Sequence, residues 1–237
     1  MKNILIAAPI RNRSWILSEY LYFLSRLDYP KEKIAFHFIL NDSSDSSAGI
    51  LADWETAHEK EYRYIRISEV NLDYPHDWGE DRVVTAEAML NRQNKTYKSL
   101  SVLRNLILDF AWLDIGAEYL LSVDSDILIN SDIINKLLAT GKDIVAGLIS
   151  NGNANYNFMP LTGHRNILPS DGLFEVTTTG AVMLISRKVF VNKLIRYSPE
   201  KTGEDEGFCK SARTQGFKSY VLPEMQKHIM KRSDIND

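Results

Sequence analysis

Cysteine is nearly missing from this chain. Cys209 is the only one in 237 residues, which excludes an intramolecular disulfide and a cysteine-based zinc cluster. A reducing compartment fits that count, and the cytoplasm is the expected location. Long apolar runs are missing as well: no stretch approaches the ~20 residues a membrane-crossing helix needs. The apolar opening, Met1 to Pro9, is brief and is followed at once by Arg11 and Arg13, so it reads as a first strand rather than a leader. There is no basic excess either. Lys and Arg number 28 against 31 Asp and Glu, a formal net charge of −3 at pH 7, and nucleic acid is not an expected partner. Internal repeats and low-complexity runs are also absent.

What is present is ordinary in bulk and patterned in detail. The apolar fraction is 44% and the charged fraction 25%, as in soluble globular proteins, and the length suits one large domain over residues 1–237. Strand-like and helix-like segments alternate. Ile4 to Ile10 reads as a buried strand. Ser14 is placed to cap a helix carrying Ile16, Leu17, Tyr20, Leu21 and Leu24 at helical spacing, and Tyr29-Pro30 ends it. Ile34 to Leu40 is a second strand, closed by the turn-forming cluster Asn41 to Asp45. A polar helix follows at about 46–60, then a strand from Arg63 to Val70. Residues 71–94 read as a long loop. The clearest helix runs from about Lys95 to Leu113, with Leu100, Leu103, Ile107, Phe110 and Ala111 in one stripe. After the strand Tyr119 to Val123, Asn130-Ser131-Asp132 caps another helix. Asp143 to Ile149 is a strand, 150–173 a loop or short hairpin, and Phe174 to Ser186 strand-like around Gly180. A helix starts near Arg187, a loop and helix cover Gly203 to Gln215, Lys218 to Leu222 is the last strand, and the tail is polar. This rhythm predicts a mostly parallel sheet flanked by helices, with ligands at the carboxyl ends of its strands.

Asp124-Ser125-Asp126 stands at such an end, between Tyr119 to Val123 and Ile127 to Ile129. Carboxylates bordering apolar runs demand partners. In an extended or tightly turned segment residues i and i+2 point the same way, so both can face one divalent cation. A metal-diphosphate site is the leading reading; an Asx-capped turn is the plainer one. Three consecutive acids, Glu204, Asp205 and Glu206, either repel one another into a raised pKa or complement a helix N-terminus.

Taken in order, the first strand with Pro9, Arg11 and Arg13 after Ala8, the turn Asn41 to Asp45, Arg104-Asn105, Asp124-Ser125-Asp126, Thr179-Gly180-Ala181 and Gly203 to Phe208 resemble a glycosyltransferase of the GT-A type. The resemblance runs over nearly the whole chain; it departs at Asn41, where the family doubles an Asp. It implies the nucleotide-diphospho-sugar transferase fold, with residues 1–126 as the nucleotide-binding half and 127–237 as the acceptor-binding half. It implies Mn²⁺ or Mg²⁺ on Asp126, with Asp124 on metal, ribose or both, and His228 as a third ligand. Hard cations of this kind want oxygen ligands, and one would act as a Lewis acid on the departing diphosphate. Asp42 would meet the nucleobase; Arg11, Arg13 and Arg104 would meet base or phosphate, a task suited to a permanently charged planar fork; Pro9 and Ser125 complete the nucleotide set. Asp205 would be the general base of an inverting reaction, with Glu204 on the acceptor. The Thr177 to Ala181 segment would bring backbone close to the sugar, and Trp78, Tyr156, Phe158 and His164 are loop residues suited to an acceptor.

The expected partners are a UDP or GDP sugar, a hexose among others, and a hydroxyl acceptor on a glycan, a lipid-linked sugar or a protein. Alternatives are a retaining enzyme of the same fold and a binding module without turnover. A phosphotransferase using Asp124 as nucleophile would carry its motif near the first strand. A sugar nucleotidyltransferase would carry a glycine-rich loop where Ala7 to Ser14 has no glycine.

Overall fold

The computed structural model describes residues 1–72, 86–152, 155–162, 172–231 and 234, with side chains of the third helix described from Asn94 onward. In chain order the elements are β1 (Ile4–Ile10), α1 (Leu17–Ser25), β2 (Ile34–Asn41), α2 (Ser47–His58), β3 (Tyr64–Val70), α3 (Ala86–Leu113), β4 (Tyr119–Val123), β5 (Ile127–Leu128), α4 (Ile133–Ala139), β6 (Ile144–Ile149), β7 (Phe158–Pro160), β8 (Phe174–Thr179), β9 (Val182–Ser186), α5 (Arg187–Phe190), α6 (Glu204–Thr214) and β10 (Ser219–His228). The strands form one sheet in the order β3-β2-β1-β4-β9-β6-β10-β8-β7, with β5 paired to β10. From β3 to β4 all neighbours are parallel. Beyond β4 the directions mix: β9 runs antiparallel to both β4 and β6, whereas β10 is parallel to β6 and antiparallel to β8.

Strand β1 shows why this sheet has helices on both faces. Ile4, Ile6, Ala8 and Ile10 of β1 pack with Leu17, Tyr20, Leu21 and Leu24 of α1 and with Ile133, Ile134 and Leu137 of α4. The alternate residues Leu5 and Ala7 pack with Leu103, Ile107 and Ala111 of α3 and with Phe208 and Ala212 of α6. A strand covered on both faces reads as continuously apolar, and each large side chain so buried contributes about 2 kcal/mol. The helical stripe expected for α1 lies on the sheet, as does that of α3 from Leu103 to Ala111; Leu100 is half-buried outside the core.

Several boundaries differ from expectation. Part of the anticipated loop 71–94 is helix, since α3 begins at Ala86; the polar run Asn91 to Thr96 separates its short apolar start from the stripe that begins at Leu100. Ser14 does not cap α1: the N-cap position is Ile16, and the Ser14 amide donates instead to Asp45 Oδ2 at 2.8 Å. The segment around Gly180 is two strands in different places, because β8 joins β10 and β7 while β9 joins β4 and β6. The polar tail is strand as far as His228. Its register shifts between Leu222 and Met225, around Pro223, which has no N–H to give to a ladder.

Candidate active site

The carboxyl ends of the parallel strands carry the residues singled out above. Pro9 lies half-buried near the end of β1, and Arg11 follows in the turn. The β1–α1 loop is tied to the β2–α2 loop: the Asn12 amide donates to Ser43 Oγ at 3.1 Å, Asn12 Oδ1 accepts from the Ser44 amide at 2.8 Å, and the Arg13 amide donates to Ser47 Oγ at 2.9 Å. Asp42, at φ 43°, accepts from the Leu72 amide at 3.1 Å. It opens on a cavity of about 410 Å³ with Leu40, Glu69 and Asn71.

A second pocket of about 270 Å³ gathers Asp124, Asp126, Asn157, Thr179, Gly180, Asp205 and His228 on its walls. Asp124 and Asp126 reach it from the turn after β4, which closes with the Ile127 amide donating to the Asp124 carbonyl at 3.0 Å. Arg13 donates to Asp126 Oδ2 at 2.8 Å and to Ser125 Oγ at 3.3 Å. Burial pushes the Asp126 carboxyl above its ordinary value; Arg13 opposes this and Asp124 adds to it. His228 is brought in by strand pairing, since it stands opposite Ile127 in the β5–β10 ladder. Its Nδ1 is 2.9 Å from Asn151 Oδ1, and the neutral tautomer that donates there leaves the Nε2 lone pair free. Nε2 lies 3.9 Å from Asp126 Oδ1, within twice a metal–ligand bond of about 2.1 Å. This donor pair suits a divalent ion. Among the described residues no three His, Cys, Asp or Glu side chains converge into a ready metal-binding group.

Arg104 is not turned toward that pocket. It is 4% exposed and donates Nη2 to Asp124 Oδ1 at 2.7 Å, Nε to Glu204 Oε1 at 2.8 Å and Nη1 to Ser122 Oγ at 3.2 Å. Burial works against its charge, but Asp124, Asp205 and Glu204 outweigh it and hold the guanidinium protonated. Glu204 is 5% exposed and is held by Arg104 rather than placed on the pocket wall. Its neighbour Asp205 does face the pocket. Burial pushes the Asp205 carboxyl up to about 8; Arg104 opposes this, whereas Glu204 and Asp124 add to it. Asp205 Oδ1 has no hydrogen-bond partner among the described residues. Glu206 turns back to accept from the Thr202 amide and hydroxyl at 3.1 and 2.7 Å. The three adjacent acids therefore have three different surroundings.

Gly180 makes room for this arrangement. A Cβ built there would stand 1.8 Å from Asp205 Oδ2, so a side chain at 180 and the carboxylate at 205 exclude each other. Ala181 takes φ 68°, a conformation costly for a residue with a Cβ, and its carbonyl accepts from the Asp124 amide at 2.8 Å. Asn157, which no sequence pattern marks, belongs to the site as well. Phe158 is buried and stacks near Tyr156, with ring centres 6.1 Å apart, as an anchor of the pocket floor. Trp78 and His164 lie outside the described residues.

A half-parallel sheet between two helical layers, with an acidic pocket at the carboxyl ends of its strands, is the architecture of the GT-A glycosyltransferases, and the chain has that fold. It belongs to glycosyltransferase family 25: the model of that family's N-terminal domain matches residues 1–165. Procollagen galactosyltransferase 1 of Danio rerio is 30% identical over 211 residues, which is 83% of this chain and 33% of that protein. An inactive glycosyltransferase 25 family member 3 of Mus musculus is 27% identical over 161 residues, 67% of this chain and 26% of that protein. The chain thus spans about a third of the length of the curated relatives it matches. Solved structures share its fold at low identity. Residues 1–349 of S. aureus TarS in complex with UDP superpose with a TM-score of 0.63 at 16% identity, covering 99% of this chain and 62% of that fragment. The mannosyltransferase PcManGT of Pyrobaculum calidifontis, in complex with GDP-Man and Mn²⁺, gives 0.56 at 14% identity, covering 97% of this chain and 58% of that one.

Proposed function

We propose that this domain transfers a hexose from a nucleoside-diphosphate sugar to a hydroxyl acceptor with inversion, and that Asp205 is the general base. The observation that carries this reading is the Asp205 carboxyl: pocket-facing, with a buried oxygen that accepts no hydrogen bond among the described residues and has only Arg104 Nε near it, at 4.0 Å, and with an affinity for protons near neutrality. An acceptor hydroxyl attacks the anomeric carbon, its proton passes to Asp205, and the bond to the diphosphate breaks. General-base assistance of this kind is worth about 10²–10⁴-fold. Asp126 and His228, with Asp124 beside them, would hold Mn²⁺ or Mg²⁺. That ion, when bound, offsets the negative charge growing on the diphosphate. Residues 1–126, with Asp42, Arg11 and Arg13, serve the nucleotide, and 127–237 serve the acceptor. The relatives' names point first to galactose and to a protein hydroxyl.

The test uses UDP-galactose, UDP and Mn²⁺. Asp126→Ala is expected to abolish Mn²⁺-dependent UDP binding in calorimetry. Asp205→Asn should keep that binding and lose transfer by about 10²-fold or more. NMR of the product should show the anomeric configuration inverted; a retained configuration removes Asp205 from the role of base. A second reading, a module that binds without turnover, is favoured by the inactive mouse relative at similar identity. It is the correct one if UDP binds to the wild-type protein and no donor is consumed.

A further inference from the structure

The side chain of Asn157 makes three hydrogen bonds, all to backbone groups. Its Oδ1 accepts from the Ile149 amide at 2.8 Å, and its Nδ2 donates to the Gly147 carbonyl at 3.0 Å and to the Gly180 carbonyl at 2.8 Å. One N–H and two carbonyls leave a single orientation for the amide, because each end can satisfy only its own kind of partner. Asn157 lies just before β7 and on the pocket wall. It bridges the end of β6 to the connection between β8 and β9. That connection joins strands that pair elsewhere and not with each other, and it is also held by the Val182 amide donating to the Gly180 carbonyl at 2.9 Å. On it sits Gly180, against which the Asp205 carboxylate packs. The next carbonyl, that of Ala181, takes the Asp124 amide. The Gly180-Ala181 unit therefore touches both acidic parts of the site, and Asn157 fixes its height relative to β6.

We propose that Asn157 is a positioning residue for transfer: its amide holds the Gly180 peptide as the seat on which the Asp205 carboxylate rests. The proposal depends on the reading of Asp205 as base. Asn157 acts through that seat and not on the reacting atoms.

Asn157→Asp keeps the shape of the side chain but turns an oxygen onto two carbonyl oxygens, so the seat must shift. Displacing a reacting group by about 1 Å costs up to about 10²-fold in rate. With UDP-galactose as donor, kcat is expected to fall by about tenfold to a hundredfold while UDP affinity in Mn²⁺ stays within about twofold. In an Asp205→Asn background the same substitution should change the residual rate by less than about twofold, because the group it positions is gone. A crystal structure of Asn157→Asp should show the Asp205 carboxylate moved off Gly180, which reads the seat directly even if no donor is turned over. Should Asn157→Asp fail to fold, Gly180→Ala attacks the seat from its other side and is expected to give the same split. The proposal is overturned if kcat is unchanged in the folded variant, if the loss is as large in the Asp205→Asn background, or if the carboxylate stays in place. Wild-type transfer by Asp205→Asn would instead overturn the base assignment itself.

Discussion

Arg13 and Arg104 each hold an aspartate of the turn after β4, in opposite settings. Arg13 and Asp126 pair at the rim, with side chains 32% and 20% exposed. Arg104 and Glu204 pair inside, at 5% and 6%, and the same guanidinium reaches Asp124. The rim pair is partly exposed and can be exchanged for other partners more readily than a buried one. The interior group cannot, because an unpaired charge there would be stranded. Asp126 thus has a partly exposed partner, whereas Asp124, itself 28% exposed, is tied to the buried guanidinium that joins α3 to α6.

The sharpest way to break this contrast is Arg104→Met. It leaves Glu204 buried without its cation and should cost about 4 kcal/mol of stability, read as a lower urea midpoint. A loss under about 1 kcal/mol would mean that the interior network is no more fixed than the rim. His37 tests a third setting, burial without a counter-charge. It lies in β2 at 3% exposure, its Nε2 3.0 Å from Ser68 Oγ. Burial, with Arg66 adding, brings it down from 6.5 to about 4. The unfolded chain therefore binds this proton first. Stability from this group is complete above about pH 6.5 and is lost as pH falls towards 4, by about 3 kcal/mol. Urea midpoints from pH 7 to 4.5 should fall less steeply in His37→Gln; equal slopes would refute the assignment. The smallest effect belongs to the rim. Arg13→Met should cost less than about 1 kcal/mol in the same assay, and a loss as large as that of Arg104→Met would erase the distinction.

Much of this was legible in the sequence where the signal is local. Alternating strands and helices, the stripe of α3 and the turn at Asp124 follow from periodicity and from charge beside apolar runs. The direction of Arg104 was not legible. Its position beside the stripe was visible, but its partners lie 18, 20 and 100 residues away, and no short window holds them. The same limit separates Glu204 from Asp205, adjacent in the chain and unlike in surroundings. Asn157 was silent for another reason: an Asn in a Gly- and Asn-rich stretch looks like turn chemistry, and its three backbone partners exist only once β6 and the β8–β9 connection have met. His228 looked like part of a polar tail because strand pairing continues past the irregularity at Pro223.

The hydrogen bonds between residues 12–14 and 43–47 have a mechanical result. The guanidinium at 13 and the carboxylate at 42 are mounted on one stiff bracket rather than on independent arms. Displacing either loop must therefore break these bonds or move the other loop with it.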